Sequence, residues 1–557
     1  MNPSDLNLPA KFTSFRPGQL DSAMDLATSD ARFRLLSAPT GTGKSLIYLT
    51  AAQLLSARTL ILVGTKGLQE QLCSDFRVMG MADIRGQGNY PCSAVKTGGE
   101  LSHFALSGPQ GCDTGPCRIG LHCSMKPKDV SNYEYQDGCH YYDAQTAAGL
   151  SPIVVSNYAY WMAIGRFSDP HAIGKFDLII LDEAHTAPDW LTGFCAVELR
   201  QREIKKLFGL GLPPLDEGVA VWADWASHAL GLCETLYTSL REDLLRGGNR
   251  QSLTKQLFRI SRIGRDLRAL SLARTWKRTD APNKDARMPG LQTDWIGEET
   301  KWGARFSPVW AHAYAEPYLF RGIENVILTS ATLSKDVARY LGIPEDQYHY
   351  YDSHEGFPAK RRPLIYIPTT RVDFRMVEGQ KRQWISRIDQ IIDGRRDRKG
   401  IIHSRSYARA QEIKQRSRHG SIMMVHSSRT RQETVDRFKR SKAPAILVSP
   451  SVEEGFDFPH DECRYQIIAK VPFVDGRSPV TKARSKADKR YLNYVAGLTI
   501  VQQVGRSTRA GDDWSETLII DDHWRWFKSK PNFPKWFTRA WKTKRQVPPA
   551  LEMGDRI

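Results

Sequence analysis

No apolar run in this 557-residue chain approaches the roughly 18 residues needed to cross a bilayer. The first ten residues, Met1 to Ala10, lack the basic-then-apolar order of a secretion signal. These absences argue against a helical membrane protein and lead us to expect a soluble, cytoplasmic chain. Internal repeats and low-complexity tails are also missing, so neither a solenoid nor a long disordered arm is expected. Acidic residues are in deficit, at 61 Asp and Glu against 79 Lys and Arg, for a net charge of +18. That balance suits a polyanionic partner. Hydrophobic residues make up 41% of the chain, enough for the cores of several domains at this length.

What is present is phosphate chemistry. Ala38-Pro39-Thr40-Gly41-Thr42-Gly43-Lys44-Ser45 has the form of a P-loop with Ala in place of the first Gly. Apolar runs flank it, Phe33 to Leu36 before and Leu46 to Leu49 after, giving the order strand, loop, helix. Over Thr40, Gly41, Thr42 and Gly43 the backbone N–H groups can turn toward phosphate oxygens, and the helix N-terminus adds positive field. Lys44 would neutralise the β- and γ-phosphates of ATP, and Ser45 would ligate Mg²⁺. A second signal is Phe176-Asp177-Leu178-Ile179-Ile180-Leu181-Asp182-Glu183-Ala184-His185. An apolar run of strand length there delivers two carboxylates to the edge of a parallel sheet where ligands bind. Asp182 would hold Mg²⁺ through water, and Glu183 would polarise the attacking water as general base.

Strand-like and helix-like patterns alternate up to about Gly80, which predicts a parallel sheet covered by helices. From Arg85 to Gly149 glycines, prolines and cysteines take over. Five of the nine cysteines lie between Cys92 and Cys139, and a loop-rich stretch this long needs such a tie. Cys73, Cys195, Cys233 and Cys463 are scattered and read as ordinary buried thiols. Leu191 to Leu272 has helical periodicity, with Leu236, Leu240 and Leu244 followed by Leu253, Leu257, Ile260 and Ile263. A second alternating region begins near Arg362.

In that second region Gly505-Arg506-Ser507-Thr508-Arg509 places two arginines three apart, able to reach one polyphosphate from across a cleft as arginine fingers. Gly455 permits close backbone approach, and Asp457 could accept from a ribose or couple to Arg506. His403-Ser404-Arg405-Ser406, at a strand end, could bond backbone phosphates. Near the start, Arg16-Pro17-Gly18-Gln19 offers an amide matched to the adenine edge, with Phe12 or Phe15 able to stack on the base. Rings interleave with cations from Trp524 to Arg545, and the reading favoured there is a closing amphipathic core rather than a DNA surface.

The order of these elements resembles superfamily 2 helicases, and more narrowly the XPD/DinG group of iron–sulfur DEAH-box DNA helicases. The resemblance rests on Arg16 to Gln19, Ala38 to Ser45, Asp182 to His185, Thr329 to Leu333, Glu453 to Asp457 and Gln503 to Arg509. It implies an α/β fold of two RecA-like domains, the first carrying an iron–sulfur insertion and a helical, arch-like one. The first domain would then occupy 1–85, 150–190 and 306–345, with the cysteine-rich insertion at 86–149, the compact helical one at 191–305, and the second domain at 346–557. Gly88-Asn89-Tyr90-Pro91-Cys92 and Cys139-His140-Tyr141-Tyr142 are similar to the start and close of the family's cluster insertion. A [4Fe–4S] cluster is thereby implied, with Cys92, Cys139, Cys123 and Cys117 as ligands, Cys112 as an alternative to Cys117, and four-cysteine zinc as the competing site. Also implied is 5′→3′ travel on single-stranded DNA; the partners we expect are single-stranded and forked duplex DNA, and the expected state is a monomer. RNA remains an alternative substrate. Movement or remodelling of nucleoprotein without strand separation remains an alternative activity.

Overall fold

The computed structural model describes the chain except residues 97, 107–109, 127–137, 168–170, 248, 273–294, 355–357, 453–455, 475, 477, 509–512 and 553–557. Gly455 and Arg509 therefore lie outside the described residues. Two seven-stranded sheets, parallel throughout, organise the rest. The first contains β1 (Phe33–Ser37), β2 (Thr59–Val63), β3 (Met81–Asp83), β4 (Ile153–Asn157) and β5 (Leu178–Asp182). The strands β6 (Val197–Arg200), β7 (Trp295–Thr300) and β8 (Gly303–Pro308) form a separate antiparallel sheet, before β9 (Asn325–Ser330) and β10 (Tyr348–Asp352) return to the first. The first sheet runs β10-β1-β9-β5-β2-β4-β3. The second runs β13-β14-β12-β15-β16-β11-β17, from β11 (Leu364–Thr370), β12 (Gly400–His403), β13 (Met423–Val425), β14 (Ile446–Ser449), β15 (Tyr465–Ile468), β16 (Glu516–Asp521) and β17 (Trp541–Thr543).

The reason for this architecture lies in the strand sequences. Phe33–Ser37, Thr59–Val63 and Leu178–Asp182 are buried at every position, as a parallel sheet covered on both faces requires. The first sheet extends past residue 345, the limit expected from the sequence, because β10 pairs with β1 at its outer edge. Tyr348-His349-Tyr350-Tyr351-Asp352 lacks the aliphatic run that marks a central strand, so its pairing is not readable from pattern alone. The helical insertion likewise holds more than helices. Gly218–Leu245 and Arg250–Leu272 pair as expected, with Trp222 buried between them and Phe306 of β8. The antiparallel sheet β6-β8-β7 completes that unit. Its strands are short, and Val197–Arg200 alternates buried and exposed positions, a weak signal in a helical context.

Arg484, from the helix Pro479–Ala487 in the second half of the chain, is buried against the first lobe. Its Nε donates to the Val309 carbonyl (2.7 Å), Nη2 to Thr192 Oγ1 (3.0 Å) and Nη1 to Asp189 (3.3 Å), with the guanidinium 5.2 Å from the Trp310 ring. A guanidinium so fully engaged ties the two halves of the chain together at this point. The closing segment is core, as expected: Trp524, Phe527, Trp536 and Phe537 are buried, while Trp526 remains partly open. Among the described residues no helix is long and apolar enough to cross a membrane.

Candidate functional site: a phosphate crevice and a thiol cluster

The loop between β1 and the helix Lys44–Leu54 adopts left-handed backbone at Gly41 (φ 82°) and Gly43 (φ 76°), conformations that glycine takes without strain. Ala38 has ordinary backbone geometry, which is why Ala is tolerated at the position of the missing first Gly. Its N–H donates to the Ser330 carbonyl (3.2 Å). Thr42 Oγ1 donates to Pro39 O (2.7 Å) and closes the loop on itself. Gln19 is buried, and both ends of its amide are taken by backbone. Oε1 accepts from Arg16 N–H (2.8 Å), and Nε2 donates to Thr42 O (2.6 Å). In this state Gln19 braces the P-loop rather than presenting its amide to a base. Arg16 adds a bond to Gly41 O (2.9 Å). Phe12 stacks on Phe76 (5.4 Å), which engages one of the two rings considered for adenine.

Asp182 and Glu183 emerge from β5 beside this loop. Lys44 Nζ stands 3.8 Å from Glu183 Oε1. The Tyr48 hydroxyl, one turn along the helix, donates to Asp182 (3.3 Å) and is also hydrogen-bonded by Ser45. Ser45 and Asp182 thus share one phenol, an arrangement that suits two ligands of a single cation. Burial, together with the Glu183 charge, pushes the Asp182 carboxyl up to about 6. Burial acts on Glu183 in the same direction, but Lys44, His185 and Ser330 outweigh it and hold that carboxylate well below its ordinary range. Glu183 therefore stays ionised and able to orient water. Its backbone is left-handed (φ 49°), an uncommon conformation for a non-glycine residue and one that aims the side chain into the crevice.

A relay that the motifs alone did not reveal runs from here to the second lobe. Ser330 Oγ donates to Glu183 (3.0 Å), His185 Nδ1 meets Ser330 Oγ (2.7 Å), and His185 Nε2 meets Gln502 Nε2 (2.7 Å). Because Ser330 gives its proton to the carboxylate and the Gln502 amide nitrogen can only donate, His185 carries its proton on Nδ1. Lys44, Glu183, Ser330, His185 and Gln502 form one chain of contacts across the interface. A second crossing lies beside it, where Thr40 Oγ1 donates to Gly505 O (3.2 Å). Arg506 follows directly, its Nη1 on Asp457 (3.1 Å) and on Phe456 O (3.2 Å). The coupling of Asp457 to Arg506 is the one of its two sequence readings that this geometry realises. His403 does not face a phosphate track. It is buried, bonded to Gln466 (2.8 Å), and lowered to about 4 by burial, since β12 is an inner strand paired on both sides along its length. Arg405 is turned back onto the Phe473 carbonyl (3.2 Å).

The five clustered cysteines converge. Cys92, Cys112, Cys117, Cys123 and Cys139 line one cavity of about 20 Å³, along with Tyr141, Tyr142 and Met125. Cys112 Sγ lies 3.6 Å from Cys139 Sγ. Hydrogen bonding with Cys112 lowers the Cys92 and Cys139 thiols below their ordinary range. Gly115 leaves space that a Cβ would close, 3.1 Å from Cys92 Sγ and 3.7 Å from Cys117 Sγ. As placed, no group of three or more His, Cys, Asp or Glu among the described residues grips a single ion. The donor set nevertheless fits a thiolate-held group: four or five soft ligands around one nearly apolar space. Cys195, Cys233 and Cys463 are buried, as expected for ordinary thiols, whereas Cys73 is only partly buried.

Comparison with known proteins agrees with this architecture. Residues 394–540 match the helicase C-terminal domain family, and residues 14–212 match the family described as type III restriction enzyme, res subunit. The chain is 22% identical to the ATP-dependent DNA helicase YoaA of Escherichia coli K12, with 93% of each chain covered. It is also 22% identical to the protein of the same name from Haemophilus influenzae, with 92% of each covered. Among solved structures it is similar to an XPD helicase (TM-score 0.59, 15% identity, covering 95% of this chain and 99% of the other). Xpd4 of S. tokodaii is a further match (TM-score 0.56, 13% identity, covering 95% and 100%).

Proposed function

We infer that this chain, an XPD/DinG-like helicase of superfamily 2, is an ATP-dependent DNA helicase that moves 5′→3′ along single-stranded DNA and separates forked duplexes as a monomer. The observation that carries this reading is the double crossing at the crevice, Thr40 to Gly505 and His185 to Gln502, which joins a phosphate-binding loop on one sheet to an arginine-bearing segment on the other. Lys44 and the P-loop amides hold the triphosphate, and Ser45 and Asp182 would hold Mg²⁺, which would supply neutralising charge to the phosphates. Glu183 orients the attacking water. Arg506 faces the γ-phosphate when the lobes close, and Arg509 is assigned the same role from the sequence alone. Loss of the γ-phosphate relaxes that closure, and the relay through Ser330 and His185 passes the change to Gln502. Stranded contacts of basic residues with phosphate are blind to sequence, so stepping works on any strand. The test is strand displacement measured beside ATP turnover. Turnover stimulated by single strands without displacement would favour the remodelling alternative.

The tail requirement separates polarity from activity. A partial duplex with a 5′ single-stranded tail is expected to unwind at least about tenfold faster than its 3′-tailed counterpart, measured by fluorescence dequenching. Preference for the 3′ tail would overturn the polarity.

The segment 86–149 is proposed as a cluster insertion held by Cys92, Cys123, Cys139 and either Cys117 or Cys112. A [4Fe–4S] group bound there would cross-link a loop-rich insert with few apolar residues of its own. Its own residues prepare the site. Cys112 shares its proton with Cys92 and Cys139, and Gly115 keeps the space between sulfurs open. Cys139→Ser is expected to remove the iron and the visible absorption of anaerobically purified protein, and to lower unwinding more than ATP turnover. Zinc in place of iron in the wild-type protein would instead select the competing site.

A further inference from the structure

A cavity of about 1,910 Å³ opens between the helical insertion, the cysteine-rich insertion and the edge of the first sheet. Nine Lys and Arg side chains line it against three carboxylates. Among them, Arg118 comes from the cysteine-rich insertion, Arg200 and Arg262 from the helical one, and Lys66 from the start of the helix Lys66–Phe76 that follows β2. One large ring projects where these walls meet. Trp302 sits with Lys301 in the turn between β7 and β8, and its side chain is 53% exposed, more than any other tryptophan among the described residues.

This exposure is not slack. The Trp302 carbonyl accepts from Gln201 N–H (2.9 Å), which ties the turn to the start of the helix Gln201–Phe208. Gly303 is packed so closely that a Cβ there would lie 2.1 Å from the Leu199 carbonyl oxygen. The turn is thus clamped to β6, and the indole is held out by rigid backbone. Lys301 Nζ lies 4.7 Å from the ring centroid, placing a cation next to the aromatic face. A second partly open tryptophan, Trp190, lines the same cavity, braced by stacking on Tyr158 (6.1 Å, 10°). A rigid, hydrated ring inside a basic enclosure matches a ligand that is both polyanionic and rich in flat apolar faces. Bases in a duplex have those faces covered; an unpaired base does not.

We propose that Trp302 is a base-stacking residue, its indole packing on an unpaired base of a single strand held in this cavity while Lys301 meets the adjoining phosphate. This rests on the reading of the chain as a DNA helicase and adds to it a named contact in the helical insertion. Stacking of this kind is indifferent to base identity, as a translocating enzyme needs.

The test uses the full chain without nucleotide and a fluorescein-labelled oligothymidine, read by anisotropy. Trp302→Ala and Trp302→Leu are each expected to weaken binding about tenfold, a loss typical of one stacked base, while Trp302→Phe stays within about threefold of wild type. An oligomer with abasic residues is expected to bind wild type and Trp302→Ala equally. Should Trp302→Ala prove unfolded by its thermal midpoint, the Phe and Leu variants carry the comparison, and equal affinities for those two overturn the proposal. Oligothymidine affinity within twofold of wild type for Trp302→Ala also overturns it, as does an equal loss on duplex. Wild-type protein that binds no single strand overturns both this contact and the helicase reading; wild type that binds while Trp302→Ala is unchanged overturns the contact alone.

Discussion

Replacing Lys44 with Ala is expected to abolish DNA-stimulated ATP hydrolysis while leaving the fold intact. The fold should survive for local reasons. Lys44 is the first residue of its helix, a position where Ala is at least as favourable. Its ammonium has Glu183 as an ionic neighbour at 3.8 Å, beyond hydrogen-bond distance, so the substitution removes no hydrogen bond between them. Catalysis should not survive, because the lysine acts twice. It supplies the positive charge facing a triphosphate that must approach two carboxylates. It also lowers the proton affinity of both those carboxylates, so without it Asp182, already at about 6, and Glu183 each drift upward. Asp182 is the one that matters, because a protonated Asp182 is a poor Mg²⁺ ligand, while His185 and Ser330 still keep Glu183 ionised. Phosphate release measured with and without single-stranded DNA, beside a thermal midpoint within a few degrees of wild type, checks the claim. Near-normal turnover would reject the P-loop assignment.

The strands that carry chemistry were legible because their burial is local information. Phe33–Ser37 and Leu178–Asp182 are largely apolar runs that lead into functional residues, and the structure puts both inside the first sheet, β5 at its centre and β1 one strand from its edge. What was not legible depends on packing between distant segments. Ser330 lies 147 residues from Glu183 and Gln502 lies 317 from His185, so nothing in local pattern announces their contacts. Gln19 was readable as an amide near the nucleotide, but not as a brace with both ends occupied by backbone. His403 misled for the opposite reason. A polar residue closing a β-strand resembles a ligand-edge residue until its burial and its bond to Gln466 on the neighbouring strand are seen. Trp302 gave no periodic signal at all. Its meaning depends on a two-residue turn clamped against a strand about a hundred residues earlier.

Removing the Arg506 guanidinium tests the claim that the lobes act on one triphosphate. Arg506→Ala is expected to lower kcat for ATP by about 10³, the loss typical of an arginine that stabilises the departing γ-phosphate, with KM changed far less. The interface itself should persist. The crossing from Thr40 ends on the Gly505 carbonyl, that from His185 ends on the Gln502 side chain, and within the second lobe the Arg506 carbonyl accepts from Phe458 N–H (3.0 Å), so none of these contacts needs the guanidinium. In the present state the guanidinium is held by Asp457, which keeps it extended beside the crevice and must share it with phosphate on closure. Asp457→Asn should therefore give a smaller loss than Arg506→Ala, since it leaves the cation present but less well aimed. Arg506→Lys should recover little, because one ammonium cannot span a carboxylate and a phosphate as a planar fork does. A structural role alone would instead lower the thermal midpoint and shift KM with kcat. If Arg506→Ala retained more than about a tenth of wild-type kcat, the second sheet would be a scaffold for DNA and not half of the ATP site, and hydrolysis would have no means of driving one lobe against the other.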